Sequence, residues 1–170
     1  MFERLSTRRC ATRIAGEVTT SCEGYGFRSR NRVTRPSAPD VVAIFNSSDD
    51  VIEMLRFALE REGFVAVTGH IGDIVRGDLD VQRFVSQHQP RAIIYDIAPP
   101  YDRNWRFLQH LRRMPEFAGR EWVLTSTHEA RVREFAETDQ VIHEILGKPY
   151  DIGEIVRAVK DAVGQVAQKS

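Results

Sequence analysis

From residue 41 onward the chain alternates short, unbroken apolar runs with longer stretches whose apolar residues return every three or four positions. Val41-Val42-Ala43-Ile44-Phe45 is the first run, apolar throughout, as expected of a strand covered on both faces. Residues 64–68, 92–95, 122–124 and 141–146 repeat that texture and are read as strands two to five. Between them lie helical stripes. Val51, Ile52, Leu55, Ala58 and Leu59 form the first, after Ser47, Ser48, Asp49 and Asp50 supply hydroxyls and carboxylates for a helix start, and Gly63 closes it. Val81, Phe84 and Val85 mark a second helix ending before Pro90, and Trp105, Leu108 and Leu111 a third. A short fourth helix fits residues 129–139 through Val132, Phe135 and Ala136. Ile152, Ile155, Val156, Val159 and Val163 make the last helix the clearest of all.

Five buried-type strands alternating with five helical segments imply an α/β fold, a parallel sheet with a helical layer on each face. Ligands in such folds gather beyond the carboxyl ends of the strands. Asn46, Ser47, Asp96, Thr125 and Lys148 fall there. Residues 69–80, polar and punctuated by glycine, read as a connecting stretch. Residues 1–40 have no sustained period and are rich in Arg, Ser, Thr and Gly, so a disordered Arg-rich extension is expected. The domain then spans 41–165, with 166–170 as a tail.

Length and composition narrow the picture. A chain of 170 residues, 42% hydrophobic, suits one ordinary core. The net charge of zero conceals a division: residues 1–40 carry eight basic and four acidic side chains, and residues 41–170 carry 16 and 20. The acidic domain makes nucleic acid an unlikely partner except through the arm. Cys10 and Cys22 are too few for a disulfide framework and lack metal-site spacing. With neither a signal-peptide run nor an 18-residue apolar span, the expectation is a cytoplasmic protein without a membrane partner. The five histidines, His70, His88, His110, His128 and His143, are scattered; His128 alone lies close after Thr125. No glycine-rich phosphate loop and no nucleophile beside a general base is found, so no enzymatic activity is expected.

The ordered set of Asp96 with Pro100 four residues on, Thr125 at the end of strand four and Lys148-Pro149-Tyr150 after strand five resembles the response-regulator receiver family. Glu62-Gly63-Phe64 also matches, and the resemblance covers about residues 41–164. It implies a doubly wound, three-layer, flavodoxin-like receiver fold with strand order 2-1-3-4-5. It further implies that Asp96 stands at the phosphoacceptor and metal position, Thr125 at the switch hydroxyl and Lys148 at the lysine that pairs with the phosphoryl oxygens. The family's acidic pair falls on Asn46 and Ser47, which removes two hard carboxylate ligands for magnesium. Residues 69–80 are longer than the family's link, and Ile145 replaces an aromatic that swings in and out.

These departures lead to an expectation of an atypical receiver, a pseudo-receiver of two-component signalling. It acts by contact with signalling proteins, with weak or no phosphorylation, no resident cofactor and magnesium only at low affinity. Lys148 would then pair with Asp96 as a structural counter-charge. Two other readings stay open at this point. One is an active single-domain phosphoacceptor serving a histidine kinase or phosphotransfer protein of a phosphorelay. The other is a small-ligand or nucleic-acid binding module. A homodimer through the last helix is also compatible with its apolar stripe.

Overall fold

The computed structural model describes residues 38–137 and 142–169. The Arg-rich segment up to residue 37, and Val141 at the expected start of the fifth strand, lie outside the described residues.

Five parallel strands, β1 (Val41–Asn46), β2 (Val65–His70), β3 (Ala92–Ile97), β4 (Glu121–Ser126) and β5 (Ile142–Gly147), form one sheet in the order β2-β1-β3-β4-β5. The helices are α1 (Asp49–Arg61), α2 (Ile71–Arg76), α3 (Val81–His88), α4 (Tyr101–Arg112), α5 (Glu129–Ala136) and α6 (Ile152–Lys169), with a 3₁₀ turn at Pro115–Phe117. The expected doubly wound receiver-type fold is the observed one.

Because successive strand residues face opposite ways, each strand contributes to two cores. Val42, Ile44, Ala92, Ile94 and Val123 pack with Ile52, Leu55 and Leu59 of α1 and with Ile155 and Val159 of α6. Ala43, Phe45, Ile93, Tyr95, Trp122 and Leu124 face the other way, against Val85 of α3, Trp105 and Leu108 of α4 and Val132 of α5. An aromatic row crosses this second core: Phe84 meets Phe45, Phe45 meets Tyr95, Tyr95 meets Trp122, and Phe117 stacks on Trp122, with ring centroids 5.5–6.4 Å apart. Such tilted and offset contacts suit the quadrupoles of the rings.

The structure corrects the sequence reading in several places. Residues 69–80 are more than a link: β2 continues to His70, two residues past the expected end, and a sixth helix, α2, follows directly. Three apolar side chains explain it. Ile74 is buried, while Ile71 and Leu79 pack partly against the second core. The His70 ring accepts a hydrogen bond from the Gly72 N–H, and Gly77 closes the helix at φ 81°, a conformation glycine adopts without penalty. β2 starts at Val65, one residue later than expected. α1 has Asp49 and Asp50 in its first turn, but its N-cap Ser48 makes no side-chain cap bond. Asp40, assigned to the extension, belongs to the folded part, since its carbonyl accepts from the Val65 N–H and its carboxylate pairs with Arg91 at 3.1 Å. α6 runs past residue 165 to Lys169.

Leu55 is 1% exposed, wedged between the sheet and α6. Leu55→Ala is expected to cost ~2–5 kcal/mol of stability, the range for deleting a buried leucine side chain. Urea unfolding measures it, and a change within about 0.5 kcal/mol would place the residue on the surface.

Candidate functional site

Asn46, Asp96, Thr125 and Lys148 end four adjacent strands or follow directly from them, and strand alternation turns the first three toward the α1/α6 layer. Asp96 and Thr125 are register partners on β3 and β4. Lys148 lies just beyond β5, held there by a backbone hydrogen bond from its N–H to the Ser126 carbonyl at 2.7 Å. The expected strand-end cluster is therefore brought together by the fold.

At its centre, Asp96 Oδ1 accepts from Thr125 Oγ1 at 2.8 Å and pairs with Lys148 Nζ at 2.8 Å. The Asp96 side chain is 3% exposed and that of Lys148 is 23% exposed, so the carboxylate is buried while the ammonium still reaches water. A buried carboxylate without such partners carries a desolvation cost of several kcal/mol. Tyr150 adds a further polar group near the pair. Its hydroxyl is buried near Thr125 and makes no hydrogen bond of good geometry. Burial, and then the negative charge of Asp96, push the Tyr150 phenol up to about 12, while the Thr125 hydroxyl opposes the rise. The buried Tyr95 phenol is pushed up by the same two causes.

The end of β1 has a different chemistry from a cation site. Asn46 is fully buried, and its Oδ1 accepts from the Ser47 and Ser48 N–H groups at 2.8 and 3.1 Å. Those two donors fix the orientation of the amide, so Nδ2, a donor, is the atom left buried without a partner. The Ser47 carbonyl is taken by His70 Nε2 at 3.0 Å. With Nδ1 of the same ring accepting from Gly72, the hydrogen resides on Nε2. Beyond Asp96, the Ala98 carbonyl accepts from Asn104 Nδ2 at 2.7 Å.

Magnesium requires hard oxygen ligands in a tight octahedral shell. The Ser47 and Ala98 carbonyls beside Asp96 are committed to protein donors, and Asn46 turns a donor rather than an acceptor inward, so these residues do not fit the ion. Among the described residues, no group of three or more His, Cys, Asp or Glu side chains could hold a metal ion.

A cavity of about 310 Å³ adjoins the cluster, lined by Ser47, His70, Val75, Asp96, Pro99 and Asn104. Residues of α2 form one wall, so the extra helix borders the approach to Asp96. Two other hollows, beside β5 and between α1 and α2, contain none of the clustered strand-end residues. Ile145 is buried, as its apolar character suggests. His128 caps α5 by accepting from the Arg131 N–H and packs its ring against Tyr101; it does not line the cavity beside Asp96.

Sequence reasoning placed Asp96, Thr125, Lys148, Asn46 and Ser47 together and passed over His70 and the clasp made by Asn104. For Asn104 the available signal is its place, an amide able to donate and accept in the first turn of the helix that follows Asp96. For His70 there was none, since its role depends on β2 lying beside β1 with Asn46 and His70 in register.

No protein-family model matches the chain, and neither does any curated protein. Among solved structures, the chain is similar to a CheY-like response regulator receiver domain from Methylobacillus flagellatus, at 20% identity and a TM-score of 0.57. That match covers 73% of this chain and 98% of the other. A sensor protein from Polaromonas sp. JS666 matches at 20% identity and a TM-score of 0.60, covering 75% and 98%. Chemotaxis protein CheY4 of Vibrio cholerae matches at 14% and 0.60, covering 74% and 99%. At these identities the likeness establishes a shared fold. Also, among the described residues, no helix is long and apolar enough to cross a membrane.

Two outcomes follow from the cluster. Lys148→Met is expected to destabilise the protein by ~3 kcal/mol, because it leaves the Asp96 charge buried and unpaired, and Asp96→Asn in the same chain should restore most of that loss. Urea unfolding of the single and double variants decides it; equal losses would mean that Lys148 acts through packing. Tyr150 gives the second. Its folded value lies above the ordinary 10.0, so the neutral phenol favours the fold fully below pH 10 and loses that effect as pH rises toward about 12. Ultraviolet titration should record late ionisation of both Tyr95 and Tyr150, of which Tyr150→Phe removes the earlier step.

Proposed function

We propose that the chain is an atypical, receiver-like signalling module that works by protein contact and takes little or no phosphoryl group at Asp96. The observation that carries this reading is the double use of Asp96 Oδ1 by Thr125 and Lys148, beside an Asn46 amide that offers a donor where a metal would need an acceptor. In-line phosphoryl transfer depends on positioning and on neutralising charge over the transferred oxygens. Lys148 already spends its charge on Asp96, and Arg76, the other cation on the cavity wall, is paired with Asp73 and Asp78. The assignments of Asp96 as phosphoacceptor position, Thr125 as switch position, Lys148 as phosphate-contact position and Asn46 and Ser47 as the replaced acidic pair belong to this proposal. So do a functional unit of residues 41–165, a non-enzymatic role, a cytoplasmic setting and partners drawn from signalling proteins.

One observation favours the active phosphoacceptor as the second reading. Asp96 lines a cavity of about 310 Å³, and among the described residues its Oδ2 takes no hydrogen bond, so an approach to the carboxylate exists.

A small-molecule phosphodonor with magnesium separates the two. The wild-type protein is expected to gain little or no mass, and an Asn46→Asp, Ser47→Asp variant should label more, because two carboxylates restore hard ligands and compensate the ion's charge. Intact-mass measurement counts the groups added, and Asp96→Asn locates them. Rapid magnesium-dependent labelling of the unmodified chain at Asp96 would replace the contact-only reading with the phosphoacceptor one.

A further inference from the structure

α4 carries a row of basic side chains on the side opposite its buried face. Arg103, Arg106, His110 and Arg113, the last just past the helix end, follow one another at intervals of three and four and are all exposed, while Trp105, Leu108 and Leu111 point into the core. Among the described residues, no carboxylate pairs with Arg103, Arg106 or Arg113.

Elsewhere most surface cations have partners. Arg56 pairs with Glu53 and Glu60, Arg76 with Asp73 and Asp78, Arg157 with Glu144 and Asp161, and Lys160 with Glu62. The acids at the start of the row and on the neighbouring helix α5 are already engaged. Asp102 answers Arg131, Glu134 answers Arg131 as well, and Glu129 answers Arg133.

The row is also unfavourable for α4 itself. Arg103 sits in the first turn, where the helix dipole disfavours a positive charge, and like charges three or four residues apart repel. Helix stability therefore gives no reason for Arg103 and Arg106, whereas His110 and Arg113 sit at the end the dipole favours; the conflict in the first half of the row marks a surface kept for contact.

We propose that the Arg103, Arg106 and Arg113 edge of α4 is a docking surface for an acidic helical segment of a partner protein. The row is one helix wide and about 15 Å long, which matches carboxylates presented at the same three- and four-residue intervals on a facing helix. Guanidinium groups pair with carboxylates through two parallel hydrogen bonds. Broader anionic surfaces fit less well. Residues 41–170 carry 20 acidic side chains against 16 basic, and the Asp102 carboxylate adjoins the start of the row, so a nucleic-acid duplex or an anionic membrane meets repulsion beyond it.

The test uses the full chain and a labelled helical peptide of about 20 residues bearing glutamates at those intervals. Fluorescence anisotropy should give saturable binding at low salt that weakens as salt rises. Arg103→Glu, Arg106→Glu, Arg113→Glu should weaken it by about tenfold or more, the sum of three exposed ion pairs. A milder variant with glutamine at the three positions should show a smaller loss in the same direction, and thermal melts of both confirm folding. The control Arg56→Glu, Arg157→Glu, Lys160→Glu changes net charge equally at another face and should bind like the wild type. Absence of saturable peptide binding overturns the proposal, as does an equal loss in the control. Tighter binding of a DNA duplex or of phosphatidylserine vesicles than of the peptide would overturn it as well.

Discussion

The carboxylate of Asp96 is almost completely removed from water, and a buried ion of this kind is tolerable only beside an opposite charge or strong donors. Thr125 and Lys148 supply both from the next two strands of the sheet. One oxygen thereby joins β3, β4 and the chain beyond β5 at the end of the sheet where the helical layers leave a gap. The pair is polar cement in an otherwise apolar sheet, and the arrangement of the neighbouring loops follows from it. Lys148 must arrive at the right height, which its hydrogen bond to the Ser126 carbonyl secures, and Ser126 is itself anchored to the Ile97 carbonyl by its hydroxyl.

Much of the fold could be read in the sequence, because both cores are built by elements whose periodicity is strong. The strands are apolar on both faces, and α1, α4 and α6 carry clear stripes, so their existence and order followed from pattern alone. α2 could not be read in the same way. It is six residues long, its glycine and charged residues resemble a loop, and its apolar side chains acquire meaning only when they meet the second core. The strand-end residues were legible for a similar reason as the sheet, since their positions at the ends of apolar runs are local facts. The polarity of the site was not. Whether Asn46 presents its oxygen or its nitrogen inward depends on the Ser47 and Ser48 N–H groups, and that choice is made by backbone geometry after β1.

The loops above the sheet are joined by short polar clasps rather than by a shared ion. His70 ties β2 to the residue after β1, Asn104 ties α4 to the loop after β3, and the Tyr101 hydroxyl at the start of α4 meets Thr127 Oγ1 of the loop after β4 at 2.9 Å. A site held together in this way favours one arrangement of its loops, whereas a site organised by a removable ion has two. This is the physical sense in which the amide at the end of β1 and the helix after β2 belong together.

The aromatic row has an optical consequence. Trp105 and Trp122 both belong to the core beneath α3, α4 and α5, and neither touches the layer of α1 and α6 toward which Asp96, Thr125 and Asn46 are directed. Intrinsic tryptophan emission therefore reports on one side of the sheet only. Loosening confined to α1 and α6 would leave the emission spectrum nearly unchanged while helical circular dichroism declined, so the two signals together distinguish failure of one layer from collapse of the whole domain.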